Sequence, residues 1–110
     1  MSKYGNKKTE VYGITFASNA EANRYIILKD ELRRGLIKDL KLQSVYVLAP
    51  SVVINGRKRP PLRYFADFDY YTTSSGRHVV EDVKGKITEG YRIKRHLMKS
   101  VFNIDILETK

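Results

Sequence analysis

The sequence predicts a single α/β domain in the order α-β-β-β-α-β, and three patterns carry that prediction. A capped stretch of helix formers runs from Ser18 to Gly35. Runs rich in β-branched and aromatic residues follow, with turn signals between them, and helical spacing returns after Gly90. At 110 residues the chain is long enough to bury one core and too short for two.

Taken in order, residues 1–15 make a basic N-terminal arm. Its first dozen residues, with Lys3, Lys7 and Lys8, carry no usable periodicity and read as flexible or loosely docked. The folded domain is expected over residues 16–110. Ser18 stands where a helix N-cap should, Glu21 follows at capping-box spacing, and helix formers continue through Arg34 to a stop at Gly35. Leu42 to Leu48 and Val52 to Ile54 read as extended chain, with Asn55-Gly56 as a hairpin-turn signal. Arg57, Lys58 and Arg59 then form a basic loop closed by Pro60 and Pro61. A second extended run, Arg63 to Tyr71, precedes the turn at Ser75-Gly76, and a third, His78 to Lys84, ends at Gly85. Ile93, Leu97 and Val101 form the apolar stripe of a second helix, and Ile104 to Leu107 makes a last short strand.

A formal net charge of +9 on so short a chain sets up a positive field that attracts polyanions, nucleic acid first and anionic membrane surface second. With no cysteine, disulfides and thiolate metal sites are excluded, and the fold stands on packing alone. No apolar run approaches the ~20 residues of a membrane span, and residues 1–10 lack a signal-peptide core. A soluble, cytoplasmic protein is the expectation.

Periodicity then sorts the acidic side chains. At ~100° per residue, Glu21 shares a helix face with Tyr25, Leu28 and Leu32, so it is either aimed at the sheet, completing the capping box, or both. In Arg63 to Tyr71 the strand period groups Phe65, Asp67, Asp69 and Tyr71 against Tyr64, Ala66, Phe68 and Tyr70. In His78 to Lys84 it groups Val80, Asp82 and Lys84, placing Asp82 and Lys84 roughly 6.5 to 7 Å apart along one surface. An isolated Asp-Val-Lys is ordinarily a solvent-facing strand edge. Here it follows a strand with Ala-Asp-Phe and a helix with an inward Glu.

Ser18-Asn19-Ala20-Glu21, Gln43, Tyr64-Phe65-Ala66-Asp67-Phe68 and Val80-Glu81-Asp82-Val83-Lys84-Gly85, in that order, resemble the PD-(D/E)XK nuclease superfamily. The pattern is most similar to a small family of phage and prophage proteins. More remotely it resembles the endonuclease subunit of heteromeric transposases and archaeal-type Holliday junction resolvases. It spans about Phe16 to Leu107 and implies a restriction-endonuclease-like αβββαβ fold, a central mixed sheet flanked by helices. The proline of the motif's name is Ala66 here, at a position that shapes backbone. The acid two before the lysine is Asp82, with Glu81 beside it, and alternation with Lys84 selects Asp82.

What the resemblance implies is hydrolysis of DNA phosphodiester bonds in a bacterial cytoplasm, with Glu21, Asp67, Asp82 and Lys84 as the catalytic set. Magnesium, for which manganese can substitute, would be held by the carboxylates of Asp67 and Asp82 and the carbonyl of Val83. Lys84 would orient the attacking water or share its charge with the transition state, and Glu21 would hold a water from the helix side. Asp69 sits two residues too far along its strand to be a preferred ligand.

On the second helix Arg92, Arg95, His96 and Lys99 fall on one flank, and with Arg57, Lys58 and Arg59 they are the expected phosphate contacts. Each is equally well read as a solvated cation. Tyr4, Tyr12 or Tyr91 can stack on exposed bases. His78 and His96 lack a third partner at metal-ligand spacing and read as structural or phosphate-facing. The expected substrate is branched DNA of recombination or replication, with a homodimer to act on it. The competing class is a non-catalytic nucleic-acid-binding protein of the same fold.

Overall fold

The computed structural model of the chain describes residues 8–110. Lys3, Tyr4 and Lys7 lie outside them. Within the expected arm, β1 (Thr9–Val11) and β2 (Ile14–Phe16) pair antiparallel across Tyr12 and Gly13, whose φ values of 52° and 79° make the tight reversal. The arm expected over 1–15 is thus regular structure from Thr9 onward. Val11, Ile14 and Phe16 pack into the core beside the first helix, and strands of three residues are too short to show a period.

Helix α1 (Asn19–Arg33) begins where Ser18 caps it, the Ser18 Oγ accepting the Glu21 amide at 3.2 Å. Gly35, at φ 76°, ends it, and Ala22, Tyr25 and Leu28 are its buried face. Strand β3 (Ile37–Ala49) starts five residues before the expected Leu42. Asp39 and Gln43 stand at positive φ in it, and a register shift between Lys38 and Lys41 hides its alternation.

Next come β4 (Val52–Ile54) and β5 (Arg57–Arg59), a two-stranded ribbon outside the main sheet. Asn55 at φ 51° and Gly56 at φ 76° close it in the manner of a type I′ turn. The basic loop expected at Arg57 to Arg59 is therefore a strand. The main sheet is completed by β6 (Leu62–Thr72), β7 (His78–Val83) and, beyond helix α2 (Glu89–Phe102), β8 (Leu107–Thr109). Its order is β3-β6-β7-β8, antiparallel at the first two junctions and parallel at the last, where α2 supplies the crossover. The final strand lies later than Ile104 to Leu107 because Ile104 and Ile106 pack against the α2 cluster.

Two clusters cover the two faces. Phe16, Ala22, Tyr25, Leu28, Phe68 and Val79 form one with α1; Tyr64, Ala66, Val80, Tyr91 and Met98 form the other with α2. Val79 and Val80 are successive on β7, so the helices lie on opposite faces of a mixed α/β sheet. Strand β6 does not keep one parity: Tyr64 and Ala66 belong to the α2 cluster, Phe68 and Tyr70 to the α1 cluster. The exchange of faces falls at Asp67, opposite Gln43 at φ 54°, so β3 and β6 bend together there. The expected common face for Tyr64, Ala66, Phe68 and Tyr70 fails at this bend.

Helix α2 also turns differently from expectation. Tyr91 and Met98 are buried and Leu97 half-buried, whereas Ile93 and Val101 are 52% and 50% exposed. A tyrosine that buries its ring and keeps its hydroxyl at the rim outcompetes the aliphatic stripe, and the Tyr91 hydroxyl donates to Glu108 at 2.6 Å. Among the described residues no helix is long and apolar enough to cross a membrane.

Candidate active site

The bend in β6 sets the site. Its ladder with β7 ends at Phe68 and Glu81, and the next position in register puts Asp67 opposite Asp82. With the backbone ladder ended, the Val83 amide donates to the Asp67 Oδ2 at 2.9 Å, and the Gln43 Nε2 donates to the Asp67 Oδ1 at 3.3 Å. The Tyr64 hydroxyl donates to the Asp82 Oδ2, and the Lys84 Nζ stands 3.5 Å from the Asp82 Oδ1. The same ammonium lies 4.3 Å from the centroid of the Tyr91 ring, which steers it toward the carboxylates.

Both carboxyls are hard to ionise. Burial first, then the hydrogen bond to Asp67, pushes Asp82 up to about 7, against the pull of Tyr64 and Lys84. Burial likewise raises Asp67; the Glu21 carboxyl adds to the rise, while the Asp82 hydrogen bond and the Val83 amide oppose it. Burial and Asp82 raise the Tyr64 hydroxyl well above the tyrosine range, so it remains a donor at neutral pH.

Glu21 lies at the helix start and beside the site. Its Oε2 accepts the amide of Ala17 at 3.3 Å, one residue before the Ser18 cap whose amide a capping box would use, and its carboxyl borders Asp67. Glu81, by contrast, is spent on structure. It is fully buried and grips Arg24 at 2.5 and 3.0 Å, with the Tyr70 hydroxyl at 2.7 Å and the Thr109 hydroxyl at 3.1 Å. Asp69 is similarly engaged, accepting from the Tyr46 hydroxyl and bonding the His78 Nε2 at 2.7 Å, while His78 stacks on Tyr71.

A cleft lined by Tyr64, Phe65, Asp67, Asp82, Lys84 and Lys94, with Thr88, Gly90 and Tyr91 at the start of α2, opens onto the pair. Lys94 and Tyr64 are the site groups that periodicity misses. The strand period groups Tyr64 with Phe68 and Tyr70, which lie across the bend. Lys94 falls off the expected basic flank, although its spacing of three from Tyr91 places both on one side of the helix.

The expected phosphate contacts lie elsewhere. Arg92, Arg95 and Lys99 line a separate groove with His96, and each is paired: with Glu89 at 3.1 Å, Glu108 at 2.9 Å and Asp105 at 2.8 Å. Arg57, Lys58 and Arg59 are exposed and form no ion pair among the described residues.

Among the described residues no three His, Cys, Asp or Glu side chains are arranged to hold a metal ion. The donor set is two facing carboxylates. Magnesium commonly takes one or two carboxylates and completes its shell with water and phosphate oxygens, so the pair fits that ion. A divalent cation would also answer the burial and the neighbouring carboxyls that raise both acids.

A family model described as "Protein of unknown function (DUF1064)" matches residues 1–107. No curated protein and no solved structure matches the chain significantly.

Proposed function

We propose that this chain, which belongs to the DUF1064 family, is a metal-dependent DNA endonuclease of the PD-(D/E)XK class. The observation that carries the reading is the meeting of Asp67 and Asp82 at the end of the β6–β7 ladder, with Lys84 3.5 Å from Asp82. The αβββαβ core order and the net charge of +9 support it.

Magnesium, or manganese in its place, would be held by Asp67 and Asp82 with the Val83 carbonyl, and when bound supplies Lewis acidity toward the phosphate. The protein's own groups prepare the rest. Gln43 and the Val83 amide hold both oxygens of Asp67, and Tyr64 holds one oxygen of Asp82, so neither carboxylate must reorganise to act. Lys84, fixed between Asp82 and the Tyr91 ring, can orient the attacking water and meet negative charge growing on the phosphate. Glu21, at the helix side and bordering Asp67, can hold a water there. Lys94 and the Thr88 hydroxyl line the cleft where phosphate oxygens would enter.

Branched intermediates of recombination or replication, which present duplex arms, are the favoured substrate. Resolving a four-way junction would take two copies about a two-fold axis. The test is to incubate purified protein with supercoiled plasmid, linear duplex and four-way junction in magnesium, manganese or EDTA, beside Asp82→Asn. Metal-dependent nicking by the wild type and none by Asp82→Asn is expected. Binding without cleavage in either metal would leave the non-catalytic class in possession.

A further inference from the structure

We infer that the β4–β5 ribbon docks in the major groove of a DNA duplex arm, presenting Arg57 and Arg59 to it, while the carboxylate cleft addresses the backbone nearby. The inference rests on the DNA reading above. Every residue of β4 and β5 is exposed, and the ribbon forms a sheet of its own. The β3–β6 ladder reaches Ala49 and Leu62, and strand pairing resumes only at Val52 and Arg59. Pro50, Pro60 and Pro61 fill the gap, and proline has a fixed φ and no amide to donate, so the neck is both stiff and unladdered.

Charge names the partner. Three consecutive cations stand on β5 and form no ion pair among the described residues, whereas the three cations expected to bind phosphate on α2 are each paired. Shape refines it, since the major groove, about 12 Å wide, admits a two-stranded ribbon, and the two-residue turn at Asn55-Gly56 keeps the tip narrow. Cross-strand pairing puts Val52 and Ile54 on the same ribbon face as Arg59 and Arg57, with Val53 and Lys58 on the other. The first face offers guanidinium forks for guanine and aliphatic surface for thymine methyls. Residues 52–59 contain no aromatic side chain, and single-strand binding depends on such stacking platforms, so the duplex is favoured. Arg59 and Arg57 lie eight and ten residues from Asp67 along the chain, at most roughly 26 and 33 Å of extended backbone, inside the ~34 Å of one DNA turn.

The experiment measures binding in EDTA, where no metal-dependent cleavage occurs, using a duplex and a single strand of equal length. Arg57→Ala/Arg59→Ala should weaken duplex binding by about ten- to a hundredfold at fixed salt and make log affinity against log salt shallower by about 2. Lys58→Ala, on the other face, removes one phosphate-attracting charge and should lower the salt slope by about 1 while leaving guanine protection in place. The wild type should shield guanine N7 from methylation within one turn, and the double variant should lose that protection. Unchanged duplex affinity in the double variant, or equal losses for duplex and single strand, overturns the inference. Failure of the nuclease reading looks different: the ribbon-dependent footprint persists while no metal supports cutting.

Discussion

Glu81 and Asp82 are neighbours on β7, both acidic and both buried, yet the two sides of the strand treat them in opposite ways. On the α1 side Glu81 meets a guanidinium in bidentate contact and two hydroxyls, and its charge is answered within the fold. On the α2 side Asp82, 3% exposed, meets another carboxyl, a tyrosine hydroxyl and an ammonium at 3.5 Å, and burial pushes it up to about 7. Burial alone therefore does not distinguish the two acids. What distinguishes them is that the fold answers the charge of Glu81 and answers that of Asp82 only in part.

The largest effect that can break this contrast is on cleavage. Asp82→Ala or Asp67→Ala should lower the nicking rate by ~10³-fold or more, the several kcal/mol expected of a metal-assisted step, while DNA binding in EDTA is retained. A dead Glu81→Ala that remains folded, beside an active Asp82→Ala, would reverse the two roles.

Stability comes next. Arg24→Ala leaves Glu81 buried without its cation, and urea denaturation should show a loss of about 3–5 kcal/mol. An Arg24→Ala protein as stable as the wild type would show that Glu81 is not structurally committed.

A smaller effect is predicted for the ammonium. Lys84→Ala should slow cleavage by roughly ten- to a hundredfold with metal affinity little changed, as for a group acting mainly in the transition state. Single-turnover kinetics with a magnesium titration separates the two quantities.

The smallest and most diagnostic effect is on the pH dependence of the metal-free protein. Asp82 rises from an ordinary 3.8 to about 7 in the fold, so the native state holds that proton more tightly than the unfolded chain. Its contribution to stability is complete below ~3.8 and is lost as pH rises through ~7. Thermal melts between pH 5 and pH 8 should show a steeper fall for the wild type than for Asp82→Asn. Magnesium added at pH 8 should raise the wild-type midpoint and leave the variant's unchanged. Parallel pH curves for the two proteins would remove Asp82 from the balance.

Much of the fold could be read from local chemistry. Ser18 and Glu21 announce α1, Asn55-Gly56 announces the ribbon's turn, and Asp82 and Lys84 fall on one side of β7 as alternation requires. What escaped was set by tertiary geometry. The bend at Gln43 and Asp67 moves Tyr64 and Phe68 to different faces, and no period-two pattern can register a conformational change at one residue. Tyr91 reverses the expected orientation of α2 because its hydroxyl finds Glu108 on β8, a partner 17 residues away. The cations of α2 looked free because Glu108 and Asp105, which answer two of them, follow the helix in the chain.

The ribbon has a consequence for the solution behaviour of the protein. Strands β4 and β5 have two open edges, and Val52, Val53 and Ile54 expose aliphatic surface on a segment of high β-propensity. Such an edge is a template for pairing with another copy, and positive side chains along it keep copies apart by like-charge repulsion. Arg57, Lys58 and Arg59 thus act as gatekeepers against strand-to-strand aggregation. Neutralising all three would lower solubility, most visibly at high salt, where the remaining repulsion is screened.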